Sequence, residues 1–271
     1  MTCIPKVVVF DLDETLGYFS QLGLFWNILK EYSKRDLNQT DFNMILDLYP
    51  EFIRPNIITL LTFLKYKKKR NKCNGVMIYT NNQGPREWSS MIKEYFHEKL
   101  KYPLFDQIIA AFKVNGKIIE IGRTTHDKCL NDFIRCTKIP ENTQICFLDD
   151  IYHSGMTGEN VYYINLKPYM YHLSFDEILE KFLNSPYSAN ILEKDASDFE
   201  LWFHESAKHS SFNYIEKSKE EYEIDKIVTK KTMIMLQDFF NKYTKDANSR
   251  KHRTKTKNST TLKKRQNSQV E

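Results

Sequence analysis

The chain has 271 residues, of which 41% are hydrophobic and 28% charged, a balance that is ordinary for a soluble protein. This length suits one large domain, or one domain with appendages, and it allows a substantial buried core. The five cysteines are odd in number, scattered and without a C-x-x-C pair. That pattern argues against a disulfide scaffold or a zinc site and favours a reducing compartment.

Positive charge is concentrated at the carboxyl end. The net charge is +5, yet residues 244–271 contain nine Lys or Arg against two acids, which leaves the rest of the chain near −2. A near-neutral body argues against a nucleic-acid groove spread over the folded domain. No window approaches the ~18 apolar residues of a membrane span, and Asp11 and Asp13 interrupt the amino-terminal apolar run too early for a secretory signal. We expect an intracellular protein, cytoplasmic or nuclear, that does not enter a membrane.

The first predicted element is a buried strand from Val7 to Phe10. Four consecutive apolar, mostly β-branched residues are typical of a parallel sheet. Residues 18–50 carry helical spacing, and we interpret them as a small helical cap inserted over the strand ends. Pro55 suits a helix first turn and precedes an apolar helix from Ile57 to Leu64.

Further along, predicted strands alternate with predicted helices. An Asn-Gly pair at Asn115 and Gly116 predicts a two-residue hairpin between them. The alternation predicts an α/β fold with a doubly wound, Rossmann-like parallel sheet. The predicted strands are 75–79, 107–112, 145–148 and 161–164. The predicted helices are 86–100, a helix capped by Thr124 or Thr125 that runs to Thr137, and a helix from the Ser174 capping box to Phe182.

The sequence pattern divides the chain into three parts. Residues 1–184 form the predicted α/β domain. Helical patterns in residues 185–243 predict a carboxyl-terminal extension that either docks on the sheet or stands apart as a helical appendage. Residues 244–271 have almost no apolar side chain and predict a disordered basic tail.

Polar residues follow three of the predicted strands, where the strand ends should meet at one edge of the sheet. Open α/β sheets bind ligands at this edge. Carboxylates brought that close together repel and need a cation, and a set of oxygen ligands suits a hard ion such as Mg²⁺. The residues at these strand ends are Asp11 and Asp13, Thr80 and Asn81, and Asp149 and Asp150.

Lys128 adds positive charge to this group, because it lies at the predicted start of the helix that leads into the strand before Asp149. Its ammonium, the hydroxyl of Thr80 and the backbone N–H groups of Thr80 and Asn81 could hold a phosphoryl group. Aspartate is an accepted nucleophile for phosphoryl transfer. The pattern therefore indicates phosphoryl transfer to an aspartate beside a metal.

The ordered set of Asp-x-Asp-x-Thr at 11–15, Thr80, Lys128 and Asp149-Asp150 resembles the four motifs of the haloacid dehalogenase superfamily of phosphotransferases. The resemblance covers residues 11–150. It implies that Asp11 attacks phosphorus, and that Asp13 protonates the leaving oxygen and later activates water. It also implies that Thr80 and Lys128 stabilise charge on the transferring group.

The same resemblance implies a Mg²⁺ site. Its ligands would be the carboxylates of Asp11 and Asp149 and the main-chain carbonyl of Asp13. Asp150 would either interact with these ligands without touching the ion, or accept a hydrogen bond from a water molecule bound to the metal. Asn81 would donate its amide to the phosphate.

A narrower resemblance concerns the substrate. Asp11–Leu16, followed by Phe52–Pro55, is similar to the NLI-interacting-factor-like phosphatases, which include the phosphatases of the RNA polymerase II carboxy-terminal domain. That similarity implies a phosphorylated Ser/Thr protein as substrate. The residues after Asp150 and the long 18–50 insertion depart from that group, however. Tyr79–Gln83 instead resembles small-molecule and polynucleotide 3′-phosphatases of the superfamily.

We therefore expect a Mg²⁺-dependent phosphomonoester hydrolase that uses an aspartyl-phosphate and acts on a phosphoprotein. One alternative is a small-molecule or polynucleotide 3′-phosphatase. The other is a non-catalytic binding protein that uses residues 244–271 to reach nucleic acid or an acidic partner, although the intact motifs disfavour it. His153 is interpreted as a surface residue, and the tryptophans either line a substrate platform or pack in the core or cap. The tryptophans are Trp26, Trp88 and Trp202.

Overall fold

The computed structural model describes residues 4–192, 196–208 and 212–241. Two compact units are distinguished, Met1–Thr232 and Met233–Glu271. The described part of the second unit, residues 233–241, is helical. The predicted basic tail, residues 244–271, lies outside the described residues. No helix in the described part of the chain is long and apolar enough to span a membrane.

The first unit contains a five-stranded sheet in which every strand pairing is parallel. Its strands are β1 (Lys6–Phe10), β2 (Gly75–Tyr79), β3 (Gln107–Ile109), β6 (Gln144–Asp149) and β7 (Val161–Asn165). A separate hairpin consists of β4 (Lys113–Val114) and β5 (Lys117–Ile118). The order across the sheet is β3-β2-β1-β6-β7, which makes this a Rossmann-like α/β fold.

Strand β1 lies at the centre of the sheet, as the apolar run predicts. Val8 pairs with Val76 on one side and with Cys146 on the other, and it is fully buried. The chain moves outward from β1 to β2 and β3, and then returns to the opposite side of β1 to form β6 and β7. The point of reversal lies between β1 and β6, and open α/β sheets bind ligands at the carboxyl ends of such strands.

Helices flank the sheet. They are α1 (Ser20–Tyr32), α2 (Gln39–Leu48), α3 (Ile57–Lys69), α4 (Arg86–Leu100), α5 (Leu130–Thr137), α6 (Phe175–Leu183), α7 (Ser188–Leu192) and α8 (Ala196–Lys208). Short 3-10 turns occur at Pro50–Phe52 and Ser154–Met156. Residues 219–232 of the first unit are also helical.

The core lies on both faces of the sheet because strand side chains alternate between them. On one face, Val9 and Tyr79 share a buried cluster with Phe133 of α5. On the other face, the ring of Phe10 lies 6.2 Å from that of Phe105, which in turn packs on Phe96 of α4.

The helices predicted within residues 18–50 are present as α1 and α2, and their role as a cap stays a prediction. Helix α8 packs against α1 and α6. The ring of Phe203 on α8 lies 5.8 Å from Phe25 of α1 and 5.9 Å from Phe175 of α6. Helix α8, which lies within the predicted extension 185–243, is thus packed on α1 and α6 inside the first unit and does not stand apart.

The predicted end of β3 and the predicted start of α5 are wrong, whereas the Asn115-Gly116 hairpin is confirmed. Strand β3 ends at Ile109 instead of Phe112, because the next carbonyl, that of Ala110, accepts from the guanidinium of Arg123 at 2.9 Å. Helix α5 begins at Leu130 instead of Thr124 or Thr125. The backbone N–H of Thr124 donates to the Asp132 carboxylate at 2.7 Å, and its hydroxyl does so at 3.0 Å, so this threonine is held beside the first turn and does not cap it.

Candidate active site

Asp11 and Asp13 lie immediately after β1, in a tight loop. The N–H of Asp11 still donates to Leu148 of β6 at 2.8 Å, which keeps Asp11 in register with the sheet. The chain then turns sharply, with Glu14 in the left-handed region at φ 58°. Gly17 closes the turn, and only glycine fits there because a Cβ would lie 2.4 Å from the carbonyl oxygen of Phe52.

Arg54 holds this loop from behind. Its guanidinium is buried and donates to the carbonyls of Glu14 at 2.5 Å, Thr15 at 2.7 Å and Lys167 at 2.8 Å. Two of these charge-assisted hydrogen bonds fix the backbone that follows Asp13, and the third ties it to the segment after β7. In the sequence, Arg54 stands out only as part of a motif, because its partners lie up to 113 residues away.

A buried lysine joins the first and third strand ends. The ammonium of Lys128 lies 2.5 Å from Oδ1 of Asp11 and 2.7 Å from Oδ2 of Asp149. Oxygens of Asp11, Asp149 and Asp150 lie within 4.8 Å of one another. Three carboxylates against one ammonium leave excess negative charge in a confined space, which favours a further cation.

Burial and the neighbouring negative charge also raise the pKa values of two carboxyl groups in this cluster. Burial, together with the charge of Asp11, raises the pKa of Asp149 to about 7 against the opposing effect of Lys128. Burial and Asp11 also raise the pKa of Asp150. These oxygen donors fit a hard divalent ion such as Mg²⁺, because such an ion favours the ionised carboxylates that burial and mutual repulsion disfavour.

Asp13 has a different environment. Its Oδ2 accepts a hydrogen bond from the amide of Asn82 at 2.7 Å. Burial raises the pKa of Asp13 to about 6, although the hydrogen bond from Asn82 lowers it. A carboxyl group that titrates near neutral pH can both give and take a proton, as general acid–base catalysis requires.

The second strand end is arranged differently from the prediction. The backbone N–H of Thr80 donates to Ile109 of β3 at 3.0 Å, so it serves the sheet and is not free for a ligand. The hydroxyl oxygen of Thr80 accepts from the N–H of Asn82 at 3.0 Å. Oδ1 of Asn81 is buried, with no hydrogen-bond partner among the described residues. It is Asn82, which sequence reasoning missed, that contacts Asp13.

Lys128 lies in the loop before α5 and not on a helix. Arg123, also missed from the sequence, anchors this loop by donating to the carbonyls of Thr80 at 3.1 Å and His126 at 2.8 Å. The guanidinium of Arg123 stacks 4.8 Å from the ring centre of Tyr79, whose hydroxyl accepts from the N–H of Cys129. The loop that carries Lys128 is thus attached directly to the end of β2.

Two further contacts complete the arrangement. Nε2 of His153 lies 3.6 Å from Oδ2 of Asp149, and only 9% of the His153 side chain is exposed, so its interpretation as a surface residue is wrong. Burial lowers the pKa of His153. Thr15 donates its hydroxyl to Asp150 at 3.1 Å, which links the first loop to the third strand end.

Comparisons of this chain with protein-family models, curated proteins and solved structures found no match. The fold and the site define an α/β protein with a Rossmann-like parallel sheet whose central strands end in a cluster of aspartates. The structure brings together Asp11, Asp149 and Asp150 with Lys128, and it places Asp13 next to Asn82.

Proposed function

We propose that this chain is a Mg²⁺-dependent phosphomonoester hydrolase of the haloacid dehalogenase type that acts through an aspartyl-phosphate. The main support for the proposal is the position of the Lys128 ammonium between Asp11 and Asp149, at the carboxyl ends of β1 and β6, where the strand order reverses. An ammonium there can neutralise an incoming phosphate and hold the nucleophile in place.

In the first step, a carboxylate oxygen of Asp11 attacks phosphorus while the bond from phosphorus to the leaving oxygen breaks. The protonated carboxyl of Asp13 gives its proton to that oxygen and becomes a carboxylate. In the second step, Asp13 takes a proton from a water molecule as the water oxygen attacks phosphorus. The bond from Asp11 to phosphorus then breaks, inorganic phosphate leaves, and both residues return to their starting states.

The metal would be held by the carboxylates of Asp11, Asp149 and Asp150, with the main-chain carbonyl of Asp13 as the fourth protein donor that the resemblance implies. When bound, it would shield the charge of the phosphate from the attacking carboxylate. Thr80 and Lys128 would contact the phosphate oxygens.

The substrate class has two candidates. The resemblance of Asp11–Leu16 and Phe52–Pro55 to NLI-interacting-factor-like phosphatases supports a phosphorylated Ser/Thr protein. The resemblance of Tyr79–Gln83 to small-molecule and polynucleotide 3′-phosphatases supports the second candidate, a small phosphomonoester or a polynucleotide 3′-phosphate. An intracellular location, and a nucleic-acid or acidic partner for residues 244–271, stay predictions.

The test is hydrolysis of p-nitrophenyl phosphate in Mg²⁺. Asp11→Asn should abolish phosphate release, because an amide is a poor nucleophile. Asp36→Asn, which changes an exposed aspartate in the same way, is the matched control and should keep wild-type turnover. Undiminished turnover by the Asp11 variant would rule out the aspartyl-phosphate.

A further inference from the structure

The helix of residues 219–232 in the first unit carries a fully buried aspartate, Asp225. Its Oδ1 lies 3.3 Å from the ammonium of Lys167, in the segment after β7, and its Oδ2 lies 2.5 Å from the ammonium of Lys217. Burial of a carboxylate is costly unless it is paired, and both partners here come from outside the helix. The two ion pairs therefore connect this helix to the segment after β7.

The segment after β7 also contacts the loop that follows β1. The main-chain carbonyl of Lys167 accepts from Nη2 of Arg54 at 2.8 Å, and the N–H of Tyr169 donates to the carbonyl of Glu14 at 2.9 Å. Lys167 thus contacts Arg54 with its backbone and Asp225 with its side chain. A continuous set of contacts therefore leads from Asp225 to the loop after β1.

The ring of Tyr169 belongs to the same set of contacts, because two cations lie close to it. The ammonium of Lys217 lies 4.6 Å from the ring centre, and the guanidinium carbon of Arg54 lies 5.5 Å from it. Tyr169 is fully buried, and cation–π contacts are strongest where water is excluded. Two cations beside one buried ring repel each other, so they need a negative charge nearby.

Arg54 depends on such a charge more than its hydrogen bonds suggest. Its acceptors in the described part of the chain are three main-chain carbonyls, and its buried Nη1 has no hydrogen-bond partner among the described residues. Burial lowers the pKa of Arg54 to about 10, and the charge of Asp225 opposes this effect more than that of any other residue. Asp225 is therefore the main counter-charge of the side chain that anchors the loop.

We propose that Asp225 is a positioning residue for the phosphoryl transfer, acting through Arg54 on the loop that carries Asp11 and Asp13. The inference rests on the proposed function and extends it. It makes the helix of residues 219–232, which lies outside the motifs of the site, a requirement for full activity. Asp225 itself touches neither the substrate nor the metal. Its charge keeps Arg54 in place, and Arg54 keeps the two aspartates in place.

The kinetic test uses Asp225→Asn, which removes the charge at nearly constant volume, with p-nitrophenyl phosphate in saturating Mg²⁺. The kcat should fall at least about ten-fold, because a small displacement of reacting groups is costly to the rate. The KM should change by less than about two-fold, because Lys128 and Thr80, which would hold the phosphate, have no contact with Asp225. A wild-type kcat, or a loss expressed only in KM, would overturn the proposal.

Asp41→Asn is the matched control. Asp41 is also buried and ion-paired, with Arg35 at 2.7 Å, but it lies on α2 and outside the set of contacts around Arg54. This variant should keep the wild-type kcat even if it lowers the melting temperature. An equal loss of kcat in the Asp41 and Asp225 variants would reduce the effect to general destabilisation and contradict the proposal.

Lys167→Met becomes the deciding variant if Asp225→Asn folds poorly. The side chain of Lys167 is 44% exposed, and the substitution removes its ion pair with Asp225 while keeping its main-chain carbonyl. The kcat should fall about three-fold with KM unchanged. Lys99→Met, which removes another partly exposed lysine from an ion pair, should have no effect on kcat. Equal kcat values for the Lys167 variant and wild type would then contradict the proposal.

A double-mutant cycle tests whether Asp225 acts through Arg54. In a protein that already carries Arg54→Met, the loop has lost its anchor, so the addition of Asp225→Asn should lower kcat by less than about two-fold. The same ten-fold loss in both backgrounds would show that Asp225 acts independently of Arg54.

Amide hydrogen exchange separates this inference from the proposed function, because it needs no substrate. The N–H of Glu14 donates to the carbonyl of Gly17 at 2.7 Å across the loop, and it should exchange at least about ten-fold faster in Asp225→Asn. The N–H of Lys101, at the end of α4, should keep its rate. If wild type hydrolyses no phosphomonoester but the exchange changes in this way, the proposed function fails and the hold of Asp225 on the loop stands. If wild type is active and Asp225→Asn is equally active, the inference fails alone.

Discussion

Asn82 donates its side-chain amide to Oδ2 of Asp13 at 2.7 Å, so the loop after β2 touches the loop after β1 at the carboxyl group whose pKa is about 6. Asn82 is itself oriented, because its Oδ1 accepts the N–H of Gly84 at 2.8 Å. The amide therefore fixes the direction in which Asp13 presents its second oxygen.

Asn82→Ala should lower kcat about 10-fold, as the loss of one hydrogen bond to a charged group implies. The rate is measured with a saturating phosphomonoester in Mg²⁺. Gln83→Ala is the control, since this neighbouring side chain is exposed and donates to the carbonyl of Asn81 instead of to Asp13. Equal rates for wild type and the Asn82 variant would show that Asp13 needs no such orientation.

Lys128→Met should abolish activity and lower the free energy of unfolding in metal-free buffer by about 3–5 kcal/mol, because Asp11 and Asp149 would lose their shared partner in a buried site. Urea unfolding provides the measurement. Lys34→Met removes an exposed ammonium and should leave both quantities near their wild-type values. A Lys128 variant as stable as wild type would mean that the two ion pairs contribute nothing to the fold.

Mg²⁺ should raise the melting temperature by about 5 °C or more at a hundred times its Kd, since a ligand at that concentration adds about 2.7 kcal/mol. Asp149→Asn should remove most of this increase, because it deletes one carboxylate of the cluster. Differential scanning calorimetry in NaCl of equal ionic strength controls for general salt effects. The same increase in wild type and variant would place the ion elsewhere.

His172 should make a contribution to the stability of the fold that is lost in mild acid, opposite in sign to that of buried carboxyl groups such as Asp13, whose raised pKa favours the folded state as the pH falls. Its Nδ1 accepts the N–H of Ile215 and its Nε2 lies 3.0 Å from the hydroxyl of Tyr18, so protonation of Nδ1 would break a hydrogen bond. Burial lowers the pKa of His172 below its ordinary 6.5. The unfolded chain therefore takes up the proton first, and this contribution is present above pH 6.5 and is lost as the pH falls below it.

Urea unfolding at pH 7 and pH 5 tests this expectation. The free energy of unfolding at pH 5, relative to that at pH 7, should be higher in His172→Asn than in wild type. Other groups with shifted pKa values, such as His97 and Asp13, are present in both proteins and cancel in the comparison. His126→Asn, at an exposed position, should keep the wild-type dependence.

The sheet and its carboxylates could be predicted because their signals are local. The apolar run at Val7–Phe10 is visible in four consecutive residues, and Asp11 and Asp13 follow it directly. Asp149 likewise follows a short apolar run. The parallel sheet and the convergence of these strand ends follow from general rules for α/β proteins. The roles of the site residues in catalysis stay predictions.

What the sequence could not reveal depends on distant partners. Helix α5 begins later in the chain than predicted because Thr124 donates its N–H and its hydroxyl to the Asp132 carboxylate and so does not cap the helix. No local sequence pattern shows this pairing. Arg123 acquires its position from a contact with the distant Thr80, so it does not stand out in the chain. His153 lies only four residues after its partner Asp149, but a loop histidine at that spacing does not by itself indicate a buried contact. Asn82 had a weak signal, a second asparagine after a strand, and only the folded loop distinguishes it from Asn81.

The packing of α8 on α1 connects the carboxyl-terminal part of the chain to the helix that lies beside Asp13. Phe25 of α1 lies between Tyr49, Phe182 and Phe203, and the last two of these come from α6 and α8. Gly23 and Trp26, which line a cavity beside Asp13, are on that same helix. A chain that ended at residue 184 would keep every aspartate of the cluster but would lose Phe203, whose ring packs on Phe25 of α1.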